Sequence, residues 1–344
     1  MPNATVAAGY PKALLDFAVS RGADRLTLIE RSQICPEDLR NRDNRIPLAK
    51  YLALLNAGIE LCKEPALSLL FGEAVKIQEI SIVGLLGEAF ESVESRRRNM
   101  SRYVILALDP DDGQSADAIE VVLENGDLSL RFNSSVYIDN PLLTESGFAR
   151  SVCTGRAFLA SMPNFAHLQF PKAIYFTHPE PSYRKEYDRI FGVPLFFGSD
   201  RNALLIDGAF ANLTPPRANP YLTELLSAHA EELLKTLKSS KTTRGKVENL
   251  LIASLHKGPQ SMEIIASKMG LSRPTLFRKL KAEGLTFGKV LDELRHRMAL
   301  HYLKHKKASI NETAYLVGFS DPSAFSRAFK RWTGSSPRTA RLKE

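Results

Sequence analysis

Ala266-Ser-Lys-Met-Gly270-Leu-Ser272-Arg-Pro274-Thr-Leu276-Phe-Arg278-Lys-Leu280-Lys281 is answered further along the chain by Ala314-Tyr-Leu-Val-Gly318-Phe-Ser320-Asp-Pro322-Ser-Ala-Phe325-Ser-Arg327-Ala-Phe329-Lys330. Ala, Gly, Ser and Pro recur at an offset of 48; after a one-residue slip, Leu276/Phe325, Arg278/Arg327, Leu280/Phe329 and Lys281/Lys330 recur at 49. A fixed-period repeat outranks any single motif as evidence of architecture. Each copy has the pattern of a helix-turn-helix. The small Ala266 and Ala314 let a supporting helix approach closely. Gly270 and Gly318 fall where the turn needs a positive φ. Ser272 and Ser320 are expected as N-caps, and Pro274 and Pro322 then occupy the first helical turn, where a missing N–H costs nothing. Leu276/Leu280 and Phe325/Phe329, spaced i, i+4, make the buried stripe, and Arg278 and Arg327 lie off it. Ser309-x-x-Glu312 adds a capping box before the second supporting helix.

Plain helical hairpins share glycine turns and apolar pairs, so charge has to discriminate. Residues 241–344 hold 21 Lys+Arg against 8 Asp+Glu, a net of +13, whereas residues 1–240 hold 25 against 30, a net of −5. The basicity is local, as expected of a module that displaces counterions from phosphates. Between the copies, apolar residues at 287, 290/291, 294, 298 and 302 predict a helix of about 18 residues, roughly 27 Å long. Successive major-groove faces lie roughly 34 Å apart, so such a linker helix can set two reading heads about one turn apart. A slight bend of the duplex, or a less complete fit of one head, would absorb the difference.

At these residues the chain resembles the AraC/XylS family of bacterial transcription regulators. Val317-Gly-Phe-Ser-Asp-Pro-Ser-Ala-Phe-Ser-Arg-Ala-Phe-Lys-Arg-Trp-Thr-Gly334-Ser-Ser-Pro337 carries most of the likeness, which covers about residues 245–341. Two positions depart from the family pattern: Thr313 replaces an aliphatic residue, and Ala340 replaces the aromatic that precedes Arg341. The resemblance implies that Arg273, Pro274, Phe277 and Arg278 in the first copy, and Pro322, Ser323, Ser326 and Arg327 in the second, face DNA. Arg278 suits a bidentate contact to guanine and Phe277 a thymine methyl, with packing against the linker helix as the alternative for Phe277. Lys279, Lys281, Lys330 and Arg331 are expected on phosphates, and Ser272, Thr275 and Ser320 complete the expected DNA-binding surface.

Elsewhere, Arg45-Ile-Pro-Leu-Ala-Lys-Tyr51-Leu, Gly84-Leu-Leu-Gly87, Ile174-Tyr-Phe-Thr-His178-Pro and Phe191-Gly-Val-Pro-Leu-Phe-Phe-Gly198 resemble the amino-terminal effector domain of one branch of these regulators. That branch carries an arabinose-binding label and includes regulators of arginine and ornithine catabolism; the label does not imply arabinose. Residues 10–100 read mainly as helices, including Tyr51–Leu61 and Leu85–Val93. Strands are expected at Tyr103–Leu108, Ile119–Leu123, Leu128–Phe132, Ala173–Thr177, Pro194–Phe197 and Ala203–Ile206, with a hairpin turn at Asn125-Gly126. Helices are expected at about 142–161, Ser182–Phe191 and Tyr221–Leu237, the last aiding subunit association. Thr214-Pro-Pro-Arg-Ala-Asn-Pro220 breaks the chain, and Ser239–Gly245 reads as a flexible basic tether.

The expected fold is therefore an α+β amino-terminal sensor domain plus an all-α carboxy-terminal domain with two helix-turn-helix units joined by a linker helix. The expected boundaries are 1–210 for effector binding and dimerisation, 211–244 for a linker with helix, and 245–344 for DNA binding, with motifs at about 261–284 and 309–333.

Other chemistries find little footing. There is no Gly-rich phosphate loop, His-Glu-x-x-His or Gly-x-Ser-x-Gly, so neither catalytic residues nor a cofactor are expected. Cys35, Cys62 and Cys153 are too far apart for a disulfide framework or metal site and are not set up as activated thiols. His301 and His305 have metal-ligand spacing but sit among basic residues, which favours exposure near phosphate over metal binding. Arg96-Arg-Arg-Asn99 reads as a solvated charge run. No apolar stretch is long enough to span a bilayer and the amino terminus lacks a signal-peptide pattern, so a cytoplasmic setting is expected. Arg45, Tyr51, Tyr175, His178, Tyr183 and Asn202 are polar or aromatic residues near the motifs, each more often structural than ligand-binding, and no effector site is assigned. The expected partners are double-stranded promoter DNA, RNA polymerase, a small-molecule effector and a second copy of the chain, with no membrane. The competing readings are an architectural or constitutive DNA-binding protein without an effector, and an enzyme carrying a DNA-targeting module.

Overall fold

A computed structural model describes residues 4–89, 102–111, 119–162, 165, 168–213, 220–258, 260–304 and 308–342. The chain forms two compact units, Met1–Leu234 and Lys235–Glu344.

The first unit opens with three short strands and a set of helices. Strands β1 (Thr5–Ala7), β2 (Arg45–Pro47) and β3 (Leu108–Asp109) form an antiparallel sheet in the order β2-β1-β3. Helices α1 (Gly9–Ser20), α2 (Arg25–Ser32), α3 (Leu48–Cys62) and α4 (Leu67–Ala74) bury Leu14, Leu15, Leu28, Leu54, Leu55 and Phe71 against it. Two short helices follow, α5 (Ile77–Ile80) and α6 (Ile82–Ala89).

The rest of the unit is a five-stranded sheet. Strands β4 (Ile119–Glu124), β5 (Asp127–Phe132), β6 (Ala173–Tyr175), β7 (Leu195–Phe196) and β8 (Ala203–Ile206) take the order β4-β5-β8-β6-β7. All neighbours are antiparallel except β6 and β7. The β4–β5 turn has φ of 50° at Asn125 and 87° at Gly126, the two positive values a tight hairpin needs. A short helix, α7 (Ser135–Ile138), leads into the long α8 (Pro141–Ala160), and α9 (Arg184–Phe191) follows β6. Phe148, Val152, Ile174, Phe176, Tyr187, Phe191 and Leu204 form the shared core. α4 lies tight against α8 because Gly72 has no side chain: a Cβ there would stand 2.3 Å from the Ser146 carbonyl oxygen.

One expected strand is a helix. Residues 102–107 are helical, and only Leu108–Asp109 is extended. Tyr103, Val104, Ile105, Leu106 and Ala107 are all buried. A run apolar on every side has no alternation to betray its period, and burial all round suits helix as well as strand.

Helix α10 (Pro220–Lys241) spans the division between the units, and α11 (Thr243–Ile252) begins the helical carboxy-terminal unit. Residues 239–245 are thus ordered as a helix end, a cap and a helix start, which corrects the flexible tether. Thr242 accepts the Gly245 N–H at 2.9 Å and ends one helix while starting the next. The first repeat is α12 (Met262–Lys268) and α13 (Arg273–Ala282), the linker is α14 (Phe287–Lys304), and the second repeat is α15 (Ile310–Leu316) and α16 (Pro322–Thr333), with α17 (Pro337–Leu342) behind. Each repeat has its own core. Val247, Leu251, Ile265, Leu276, Leu280, Val290 and Leu294 pack in the first; Ala299, Leu303, Ala314, Val317, Phe325 and Phe329 pack in the second. Met298, two-thirds of the way along α14, touches both. Among the described residues, no helix is long and apolar enough to cross a membrane.

The breaker segment at 214–219, the arginine run at 96–99 and His305 lie outside the described residues.

Candidate nucleic-acid interface

The two recognition helices, α13 and α16, are built alike from the turn onward. Gly270 has φ of +64° and Gly318 +79°, and in each turn the following N–H reaches back to the supporting helix: Leu271 N to Ala266 O and Phe319 N to Ala314 O, both 2.9 Å. Ser272 caps α13 through the Thr275 N–H at 3.3 Å. The second cap is Asp321 rather than the expected Ser320, its carboxylate accepting the N–H groups of Ser323 and Ala324 at 3.1 and 2.8 Å. Those N–H bonds hold the Asp321 carboxyl below its ordinary pKa. A carboxylate with two oxygens outcompetes a hydroxyl for two unpaired donors. The second turn is therefore one residue longer, which is the origin of the slip from 48 to 49.

Counted from these caps, Arg278 and Arg327 occupy the same step of their helices. Both are exposed, while Leu276, Leu280, Phe325 and Phe329 are fully buried. Phe277 is 50% exposed and is not among the apolar residues packed in the first core. Ser272, Arg273, Pro274, Lys279 and Lys281 share its exposure, and Thr275 is half-buried with its hydroxyl 2.8 Å from that of Ser272. In the second helix Ser320, Ser323, Lys330 and Arg331 are exposed and Pro322 and Ser326 half-buried; the Ser326 hydroxyl donates back to Pro322 O at 2.9 Å. Among the described residues, Arg278, Lys279, Lys281 and Lys330 meet no carboxylate at ion-pair distance. Arg273 and Arg331 do, with Glu263 at 2.6 Å and Asp292 at 2.8 Å. Both pairs are solvent-exposed and weak enough for a phosphate to displace.

Arg295, on α14, escaped the sequence reading. It donates to the carbonyls of Val317 and Gly318 at 3.0 and 2.9 Å and lies 4.4 Å over the Phe319 ring. Burial lowers its pKa. Leu255 closes the other side, where a Cβ on Gly318 would meet its side chain at 2.9 Å. The Gly270 turn has no such neighbours. Only the second turn is clasped by the linker helix, and a lone arginine on a helix face gives no hint of that in sequence.

In the first unit the residues near the motifs divide by role. Arg45 binds backbone, donating to Thr5 O at 2.8 Å and to Ile105 O at 3.4 Å. Asn202 accepts the Thr177 N–H at 2.9 Å. Tyr175 stacks on Phe196 beneath Arg201. His178 and Tyr183 belong to a buried group with Tyr187 and Glu145, neither foreseen. Tyr183 and Tyr187 donate to the same Glu145 oxygen at 2.8 and 2.7 Å, and His178 Nε2 lies 3.4 Å from the Tyr187 hydroxyl. Burial raises the Glu145 carboxyl to about 7, against the pull of the two hydroxyls. Tyr51 meets Tyr10 edge-on, ring centres 6.3 Å apart.

Among the described residues no group of three acidic, His or Cys side chains is placed to hold a metal. Burial raises the thiol pKa of Cys62 and Cys153, the reverse of activation, and Cys35 is exposed.

Residues 22–214 match the family profile described as the arabinose-binding domain of AraC transcription regulator, N-terminal, and residues 265–343 match a helix-turn-helix domain. The ornithine utilization regulator of Pseudomonas aeruginosa is 29% identical over 340 residues, covering 96% of this chain and 95% of that protein. The HTH-type transcriptional activator RhaS of Escherichia coli is 41% identical over 97 residues, 27% of this chain and 35% of that one. The crystal structure of transcriptional regulator CdpR from Pseudomonas aeruginosa aligns with a TM-score of 0.42 at 19% identity, over 91% of this chain and 95% of that one.

Proposed function

This chain belongs to the AraC family of transcription regulators and is a DNA-binding regulator with an effector-binding domain, and from that premise we propose that it is a ligand-responsive activator whose two recognition helices enter successive major grooves of one duplex. The observation that carries this reading is the equivalence of Arg278 and Arg327, exposed at the same step from their caps on two helices that the 18-residue linker helix separates along the chain. Arg278 and Arg327 read base edges, Phe277 meets a thymine methyl, and Lys279, Lys281, Lys330 and Arg331 hold phosphates, with Ser272, Arg273, Pro274, Thr275, Ser320, Pro322, Ser323 and Ser326 along the same surface.

The amino-terminal unit binds a small metabolite, and binding shifts the population between arrangements competent and incompetent for DNA. The likeness to a regulator of ornithine utilization supports an effector from amino-acid metabolism. Tyr221 and Leu225, 75% and 56% exposed on α10, support association of two copies through that helix. The site of action is a promoter in the cytoplasm, with RNA polymerase as the partner; catalysis has no part in it.

Replacing Arg278 with Ala is expected to weaken operator binding by roughly 1–3 kcal/mol and to relax one base preference, while Lys281→Ala weakens operator and random DNA alike. Fluorescence anisotropy on both duplexes checks this. Equal losses on the two duplexes for Arg278→Ala would remove its reading role.

A further inference from the structure

Arginines turned inward in the first unit have a carboxylate or a set of carbonyls to bind: Arg131 and Arg201 each leave Nε without a hydrogen bond but both pair with Glu124. Arg45 binds carbonyls of Thr5 and Ile105, and Arg156 gives its three nitrogens to carbonyls of Phe170, Ile190 and Phe191. Arg150, on α8, differs. Its Nη1 is buried with no hydrogen-bond partner, and among the described residues it meets no carboxylate. Its guanidinium lies 5.2 Å from the centre of the Tyr10 ring, a cation–π contact that fixes its place.

Three tyrosines from three other helices gather on this side of α8: Tyr10 of α1 under the guanidinium, Tyr51 of α3 edge-on to Tyr10 with ring centres 6.3 Å apart, and Tyr137 of α7 beside Gly147. Tyr51 is only 2% exposed, and Tyr137 is half-buried between the Phe132 ring, 5.2 Å away, and Gly147. Among the described residues none of the three hydroxyls finds a hydrogen-bond partner. Burial raises the pKa of Tyr51 and Tyr137, with the Arg150 charge opposing it, so both hydroxyls stay protonated. Glu145, the nearest acidic residue on α8, is engaged with Tyr183 and Tyr187 of α9.

Four helices thus bring together one guanidinium, which can only donate, and three hydroxyls free to donate, with no carboxylate among them. An inward cation without its anion is costly, and convergent unpaired polar groups are the mark of a ligand site. We propose that Arg150, Tyr10, Tyr51 and Tyr137 form the effector site of this regulator and that they bind the carboxylate of a small organic acid or amino acid. The flat, two-pronged guanidinium matches a carboxylate, and its single charge suits a monoanion over a phosphate dianion. This rests on the sensor reading above and deepens it.

The test is thermal unfolding of the full chain with L-ornithine, L-arginine, L-glutamate, succinate and benzoate, each at about 10 mM, beside L-ornithinamide, L-argininamide, benzamide and inorganic phosphate. At least one carboxylate is expected to raise Tm by roughly 5 °C, with no such rise from its amide or from phosphate. Arg150→Met is expected to abolish the shift while leaving the ligand-free Tm no lower than the parent's, because the cation it removes is unpaired. Tyr51→Phe is expected to weaken binding about tenfold, and it carries the test if Arg150→Met does not fold. A shift that survives both substitutions, or is matched by the amide or by phosphate, overturns the site and leaves the sensor reading standing. Silence from every compound overturns both. Operator binding by Arg278→Ala, run alongside, reports on the DNA reading alone.

Discussion

Glu145 shows how far one side chain's chemistry depends on what surrounds it. One carboxylate oxygen takes both tyrosine hydroxyls, and the other is buried without a partner. Its folded-state pKa of about 7 lies above the ordinary 4.5, so between those values the folded chain holds a proton that the unfolded chain has released. Stability therefore falls as pH rises through that window and levels off above it, by roughly 3 kcal/mol in all. Glu145→Gln is expected to remove this slope and to be the more stable protein at about pH 8, read from urea midpoints at about pH 5 and pH 8. Parallel pH profiles for parent and variant would show that burial does not shift this group. None of this was legible in sequence, because Glu145 meets its partners only when α8 packs on α9. Thr313 was legible as a departure, and its buried hydroxyl indeed finds no partner. The cap at Asp321 was not read, since Ser320 and Asp321 are both good caps and their competition is settled by turn length.

At the scale of elements, periodicity served where the element was long and one-sided. The linker helix has the 18 residues its apolar spacing implied, and the hairpin sits at Asn125-Gly126. It failed where elements were short or wholly buried. Strands of three residues, as at Thr5–Ala7 and Arg45–Pro47, carry too little pattern, and the helix at 102–107 is apolar all round. Through Arg295 the linker helix also clasps the turn of the second repeat and not that of the first. Arg295→Met removes two hydrogen bonds and the contact with Phe319, and is expected to cost roughly 2 kcal/mol. Hydrogen exchange should then speed up at the amides of Gly318 and Phe319 while those of Gly270 and Leu271 keep their protection. Equal loss at both turns would mean that Arg295 supports the unit in general.

For the whole molecule, the charge asymmetry is a functional statement: a carboxy-terminal part at +13 and a remainder at −5. With Lys279, Lys281, Lys330 and Arg331 on phosphates, log K against log salt is expected to fall with a slope of roughly −4 per chain, and Lys281→Ala to make it shallower by about 1. Titrations across a salt series measure this, and a flat dependence would leave those four residues without their assigned contacts. The repeat, the charge and the apolar spacing are properties of neighbouring residues, so the order of residues alone determined the two helix-turn-helix units, the linker helix and the family. Which polar groups are left unpaired depends on side chains brought from distant segments. Only tertiary packing could place Arg150 over Tyr10 and Tyr10 against Tyr51, or Val317 and Gly318 under Arg295, because hydrogen bonds and burial are decided by separation in space, which spacing along the chain does not encode.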